Sequence, residues 1–252
     1  MKITFLGTGT SMGVPVAGGF HREKIAHDPR NERTRCSVWI QAEGESILID
    51  AGPEFRLQSI KAKLQNLDHL LVTHEHMDHV AGLDDLRVYS YVNELPIPVY
   101  TSSHCIEAIK RRFDYMFGEK KYPGSTSLAL KEVVKPFKLG NVSVTPLPVK
   151  HGNLDILGFR VGDFSYLTDV KYIPDETKEL IHGSKVVAMG ALRWQPEHPT
   201  HQTIPEAVEL IEELEIPKAF LIHMNGYVDH EPSNKKLPDH IKLAYDQMVI
   251  HI

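Results

Sequence analysis

One short segment constrains this chain more than any other: Thr73-His74-Glu75-His76-Met77-Asp78-His79. Residues i and i+2 share a side in an extended strand or strand end, so His74 and His76 can converge on one point. Asp78 and His79 would then open a helix and approach that point from another direction. Imidazoles and a carboxylate crowded together need compensation, and a metal ion supplies it. The set suits two adjacent ions better than one. The alternative, a solvent-facing histidine-rich loop, would predict no such residues in matching contexts elsewhere.

Matching contexts exist. Leu70-Leu71-Val72-Thr73 runs into His74, Leu147-Pro148-Val149-Lys150 into His151, Tyr166-Leu167-Thr168 into Asp169, and Ala219-Phe220-Leu221-Ile222 into His223. Apolar runs of this length read as buried strands. Strands ending on one edge of a sheet would gather these residues despite their distance along the chain.

The remaining pattern is mixed. Strands are expected over 2–6, 36–42, 46–50, 69–72, 141–149, 156–161, 164–168, 185–190 and 218–222. Helices are expected over 54–65, with Phe55, Leu57, Ile60 and Leu64 on one face, and over 103–117, 175–182 and 205–214. This order implies an α/β protein with sheets covered by helices, read as one domain over 1–252. A net charge of −5 argues against coating nucleic acid by bulk electrostatics. No apolar run approaches a membrane span, and the amino terminus lacks a signal-peptide core. Two cysteines are too few for a disulfide framework, so a cytoplasmic location is expected.

The string T-H-x-H-x-D-H followed by His, Asp and His at strand ends resembles the metallo-β-lactamase fold. The resemblance implies an αββα sandwich, two β-layers flanked by helices, with a dinuclear site at one edge. By that resemblance His74, His76 and His151 hold one ion, Asp78, His79 and His223 hold the other, and Asp169 bridges both. Asp50, in Leu48-Ile49-Asp50-Ala51-Gly52, resembles the family's aspartate that orients ligand histidines. The ligands are all nitrogen and oxygen, so Zn²⁺ and Mn²⁺ both suit.

Leu6-Gly7-Thr8-Gly9-Thr10-Ser11-Met12-Gly13-Val14-Pro15, Asp28-Pro29-Arg30-Asn31 and His79-Val80-Ala81-Gly82-Leu83-Asp84-Asp85 resemble the PhnP-type phosphodiesterase branch, which lies near transfer-RNA 3′-processing nucleases. In Pro199-Thr200-His201 the histidine matches a catalytic position; His198 matches less well. That branch often carries a structural zinc on three cysteines and a late histidine. Those positions here are Gly19, His21, Lys24 and Gly226, so no structural zinc is expected, and local packing must order residues 18–30. The Gly-Thr-Gly-Thr-Ser run lacks the Walker lysine and the G-x-G-x-x-G spacing, and reads as a turn shaping the floor of the site.

The implied activity is metal-dependent hydrolysis of small phosphodiesters, cyclic ones included, by a hydroxide bridging two ions. Asp78 and Asp169 serve the metal centre and His201 assists the leaving oxygen. The alternatives are a nuclease or cyclic-nucleotide phosphodiesterase, a thioester or lactone hydrolase, and a ligand sensor without turnover. Lys110, Arg111, Arg112, Lys120 and Lys121 interleave with Phe113, Tyr115, Phe117 and Tyr122. This reads as an amphipathic helix with a solvated charged face, with a substrate-facing flap as the alternative. No long basic arm appears, which favours a small phosphodiester over a large RNA. No membrane partner is expected, and the resemblance mildly favours a homodimer.

Overall fold

The structure, a computed structural model, describes residues 1–118 and 124–252, with residues 24–26 described by backbone alone. Short apolar runs build two sheets. The first contains β1 (Lys2–Gly7), β2 (Ser37–Ala42), β3 (Glu45–Ile49), β4 (His69–Leu71), β5 (Ile97–Thr101) and β6 (Leu128–Glu132). The second contains β7 (Phe137–Leu139), β8 (Val142–His151), β9 (Leu154–Val161), β10 (Phe164–Leu167), β11 (Val186–Gly190), β12 (Ala219–Ile222) and β13 (Ile241–Leu243). The last strand, β14 (Met248–His251), returns to pair antiparallel with β1. The orders are β14-β1-β2-β3-β4-β5-β6 and β13-β12-β11-β10-β9-β8-β7.

Local chemistry explains the joins. Glu43 and Gly44 both take positive φ between paired Ala42 and Glu45, the backbone of a two-residue hairpin turn. The helix Ile204–Glu213 is started by a capping box, in which the Thr203 side chain and Glu206 satisfy each other's backbone N–H groups. Its face of Ile204, Ala207, Leu210 and Ile211 is buried on the second sheet.

The sheets pack face to face. Phe5 from β1 meets Phe220 and Phe164 at ring separations of 5.5 and 6.5 Å in the central core. A second core lies outside the first sheet, under the helix Ser103–Arg112, and a third lies outside the second sheet. This is the αββα sandwich that the sequence resemblance implies.

Three expectations change. The helix expected over 54–65 spans Phe55–Ala62, and its inner face is Phe55, Gln58 and Ser59. Leu57 and Ile60 face outward, because Gln58 turns inward to donate to the carbonyl of Arg35 at 2.9 Å. The helix expected over 103–117 stops at Arg112, and a 3-10 turn follows at Asp114–Met116. Phe113 and Met116 are buried in the core, Lys110 pairs with Glu107, and Arg112 donates to the carbonyl of Glu75. These contacts pack the described part of the segment against the first sheet; Lys120, Lys121 and Tyr122 lie outside the described residues. Five strands, β5, β6, β7, β13 and β14, were not expected. They are short, and Pro98 interrupts the β5 pattern.

Candidate metal centre

The parallel strands β3, β4, β10, β11 and β12 end at one rim. Asp50 follows β3, Asp169 follows β10 by one residue, and His223 follows β12 directly. All three are non-glycine residues in the left-handed region, with φ of 61°, 54° and 62°. That backbone costs about 1–3 kcal/mol per residue and persists only where the surroundings impose it. Here each strand turns sharply at its end, and its polar side chain meets the others at the rim.

The helix Met77–Val80 carries Asp78 and His79 into the rim. Its approach depends on Gly52. A Cβ there would run into the carbonyl oxygen of Asp78. Main-chain bonds lock the contact: the Ala51 N–H donates to His79, and the Gly82 N–H to Ala51, both at 2.8 Å.

Two donor groups result. His74, His76 and His151 form one, and Asp78, His79, Asp169 and His223 the other, with donor atoms in each within 4.8 Å of one another. The structure thus brings together all seven side chains that the resemblance named as ligands. A third grouping places His201 with His151 and Asp169. The His201 ring lies 4.6 Å from that of His151 and 4.9 Å from that of His223.

The outward nitrogens of His74, His79 and His151 are hydrogen-bonded. Asp50, wholly buried, accepts the Nδ1–H of His79 at 2.8 Å. It also accepts the Thr73 N–H at 2.8 Å and the Thr73 hydroxyl at 2.9 Å. The hydroxyl proton is therefore committed to Asp50, and Thr73 Oγ1 can accept the Nδ1–H of His74 at 3.0 Å. His151 donates its Nδ1–H to the carbonyl of Thr200 at 2.8 Å. In all three rings Nδ1 is thus the bonded nitrogen and Nε2 the one turned toward the cluster, available to a metal ion once it carries no proton.

The inward atoms face one another across short gaps. His74 Nε2 faces His76 Nδ1 at 3.0 Å, nitrogen to nitrogen. His79 Nε2 stands 3.0 Å from Asp169 and 3.2 Å from Asp78, and His223 Nε2 stands 3.1 Å from Asp169. Buried Nδ1 of His223 and Nδ1 of His201 make no well-directed hydrogen bond. Buried donor atoms aimed at one another fit a pair of divalent ions.

Titration follows burial and charge. Burial, then the neighbouring His79, hold His74 well below the usual histidine range. Burial opposes the charged forms of Asp169 and His79, yet attraction wins for both: the imidazoles of His223 and His79 hold Asp169 low, and Asp169 with Asp50 hold His79 high. Burial and the adjacent His223 push His201 down to about 3, so its imidazole is neutral near pH 7.

Supporting residues appear that the sequence did not reveal. Buried Arg33 donates to the Val228 carbonyl at 2.9 Å and the Asn31 side chain at 3.0 Å, fixing the loop after His223. Thr8, in the glycine-threonine run, pairs its backbone with Met224, next to His223. At the positions related to cysteine ligands, the His21 ring lies over Gly226 and edge-on to Tyr227 at 4.8 Å. Nearby, Arg30 bridges Asp28 and Glu231 at 2.9 Å each.

The Beta-lactamase superfamily domain profile matches residues 45–224, and the chain belongs to that family. It is 33% identical to a structure described as a new diphosphatase from the PhnP family, with a TM-score of 0.91 over 100% of this chain and 97% of that one. A Porphyromonas gingivalis protein named octanoyltransferase is 40% identical over 98% of this chain and 50% of its own length. Ribonuclease Z of Bradyrhizobium diazoefficiens is 25% identical over 62% of this chain and 48% of its own length. The chain thus spans about half the length of these two relatives. Among the described residues no helix is long and apolar enough to cross a membrane.

Proposed function

We propose that this superfamily hydrolase is a metal-dependent phosphodiesterase acting on small phosphodiesters, linear or cyclic. The observation that carries the reading is the place of His201. It leans over the donor cluster, 3.6 Å from Asp169, yet neither of the two ligand groups needs it. A pair of Zn²⁺ or Mn²⁺ ions held by His74, His76 and His151 and by Asp78, His79 and His223, with Asp169 between, would supply Lewis-acid stabilisation of charge growing on phosphoryl oxygens.

The protein's own residues do the rest. Asp50 holds the rings of His79 and, through Thr73, His74 in one orientation. Neutral His201 offers an N–H to a phosphoryl or leaving oxygen. A donor already in place costs no reorganisation as charge develops. Likeness to a PhnP-family diphosphatase and to ribonuclease Z supports phosphoester chemistry. The net charge of −5 favours a small substrate over folded RNA.

Metal-loaded protein is expected to hydrolyse bis-p-nitrophenyl phosphate and members of a panel of cyclic and linear phosphodiesters. His76→Ala and Asp169→Ala should each abolish turnover. Esterase or thioesterase activity with none on any phosphodiester would overturn the reading.

A second reading is favoured by the relative named octanoyltransferase. The same rim would then hydrolyse an acyl thioester, and octanoyl-coenzyme A is the matching probe. On that reading His201→Ala is mild, whereas the phosphodiesterase reading makes it severe.

A further inference from the structure

Asp169 is the carboxylate on which the donor groups converge. A carboxylate oxygen of it falls within 4.8 Å of the donors of Asp78, His79 and His223, and also of those of His151 and His201. Its two oxygens face different neighbours. Oδ1 lies 3.1 Å from Nε2 of His223 and 3.6 Å from Nδ1 of His201, whereas Oδ2 lies 3.0 Å from Nε2 of His79. The torsion that turns an aspartate carboxyl is broad, so nothing intrinsic to the side chain keeps this orientation.

The backbone beneath it is fixed from both sides. Gly190 ends β11 beside the end of β10, and a Cβ there would come within 3.1 Å of the Asp169 nitrogen. The Gln202 N–H donates to the carbonyl of Val170 at 2.9 Å. Both contacts hold the positive-φ turn at Asp169, and neither acts on its carboxyl torsion.

That torsion is held by the preceding residue. The Thr168 hydroxyl donates to Asp169 Oδ2 at 2.8 Å, and both residues are buried. An ionised carboxylate only accepts, so the chemistry of the pair sets the direction of the bond. Apart from the histidines of the cluster, no other hydrogen-bond donor reaches this carboxylate among the described residues. Thr73 offers a contrast. It also precedes a candidate ligand, yet its hydroxyl proton goes to Asp50, which in turn holds His79. Thr168 gives its proton to the candidate ligand itself.

We propose that Thr168 is a positioning residue for Asp169. Its hydroxyl turns the carboxylate so that Oδ1 faces His223 and His201 while Oδ2 faces His79. The set of Asp78, His79, Asp169 and His223 is thereby shaped to hold its ion beside the one on His74, His76 and His151. The inference rests on the two-ion reading of the cluster and does not depend on the substrate. Without the hydroxyl the carboxylate is free to turn, and the cost of ordering it falls on the ion that uses it. The three-histidine set has no such dependence.

The test titrates cobalt(II) into metal-free protein, following visible absorption, with a competing chelator for affinity. Thr168→Val removes the donor at nearly constant shape, and Thr168→Ser keeps it. The parent should take up two ions per chain. Thr168→Val should bind one with near-parental affinity and the second about 10–100-fold more weakly, with a changed absorption for the second ion. Thr168→Ser should recover most of the second affinity. If Thr168→Val fails to fold, Thr168→Ala against Thr168→Ser makes the same comparison. Parental affinity for both ions in Thr168→Val would overturn the role. So would equal weakening of both ions, or a Thr168→Ser as weak as Thr168→Val, since packing rather than the hydroxyl would then be at work. A parent that never takes up a second ion would instead sink the two-ion reading, and the inference with it.

Discussion

Asp50 Oδ2 lies 2.8 Å from His79 Nδ1, and both side chains are wholly buried. The same carboxylate reaches His74 through Thr73. One group thus aligns a ligand candidate from each of the two donor sets. Asp50→Ala frees both rings to turn and removes the group that keeps their Nε2 atoms directed inward. Affinity for Zn²⁺, measured by competition with a chelator, should fall by about 10–100-fold. Unchanged affinity would mean that packing alone sets the ring orientation.

Gly52 is where the β3 exit and the helix of Asp78 and His79 touch. The added methyl of Gly52→Ala meets the Asp78 carbonyl, with the Arg35 Cβ behind it at 3.2 Å. Backbone, not a flexible side chain tip, must give way. We expect a loss of about 1–3 kcal/mol in urea unfolding and weakened metal uptake. Stability lost with full metal uptake would show that the helix can shift without moving its donors.

His201 has a different signature from a ligand. His201→Ala should lower phosphodiester turnover by about 100-fold or more, while two bound metals per chain are retained. Parallel loss of metal and activity would make it a structural residue of the cluster.

How much of this was readable depended on how far the information was local. The Thr-His-x-His-x-Asp-His string was legible because chain connectivity alone brings its donors near one another. His151, Asp169 and His223 were legible because each follows a buried run, and parallel strands deliver their ends to one rim. Arg33 was not legible: it grips a carbonyl 195 residues away, and a side chain-to-backbone bond leaves no spacing to find. The contact of Thr200 with His151 was hidden for the same reason. Leu57 and Ile60 misled because apolar spacing marked a face that Gln58 outcompetes by hydrogen bonding.

Asp246 gives a prediction in pH. It accepts from the Thr34 N–H at 2.8 Å, the Thr34 hydroxyl at 2.6 Å and the Thr8 hydroxyl at 2.8 Å, with no cation paired to it among the described residues. Burial outweighs these bonds and raises its carboxyl to about 6. The folded protein then holds this proton more tightly than the unfolded chain, whose carboxyl titrates near 3.8. Stability from this group is present below that lower value and is lost as pH rises toward 6. Asp246→Asn removes the titration, and its amide can still meet both threonines. Between pH 4.5 and 7.5 the unfolding free energy of the variant should gain on the parent by about 1–2 kcal/mol, allowing for partial solvent screening. Urea unfolding of both proteins at the two pH values measures the gain. A difference that does not change with pH would show that Asp246 is already ionised throughout that range.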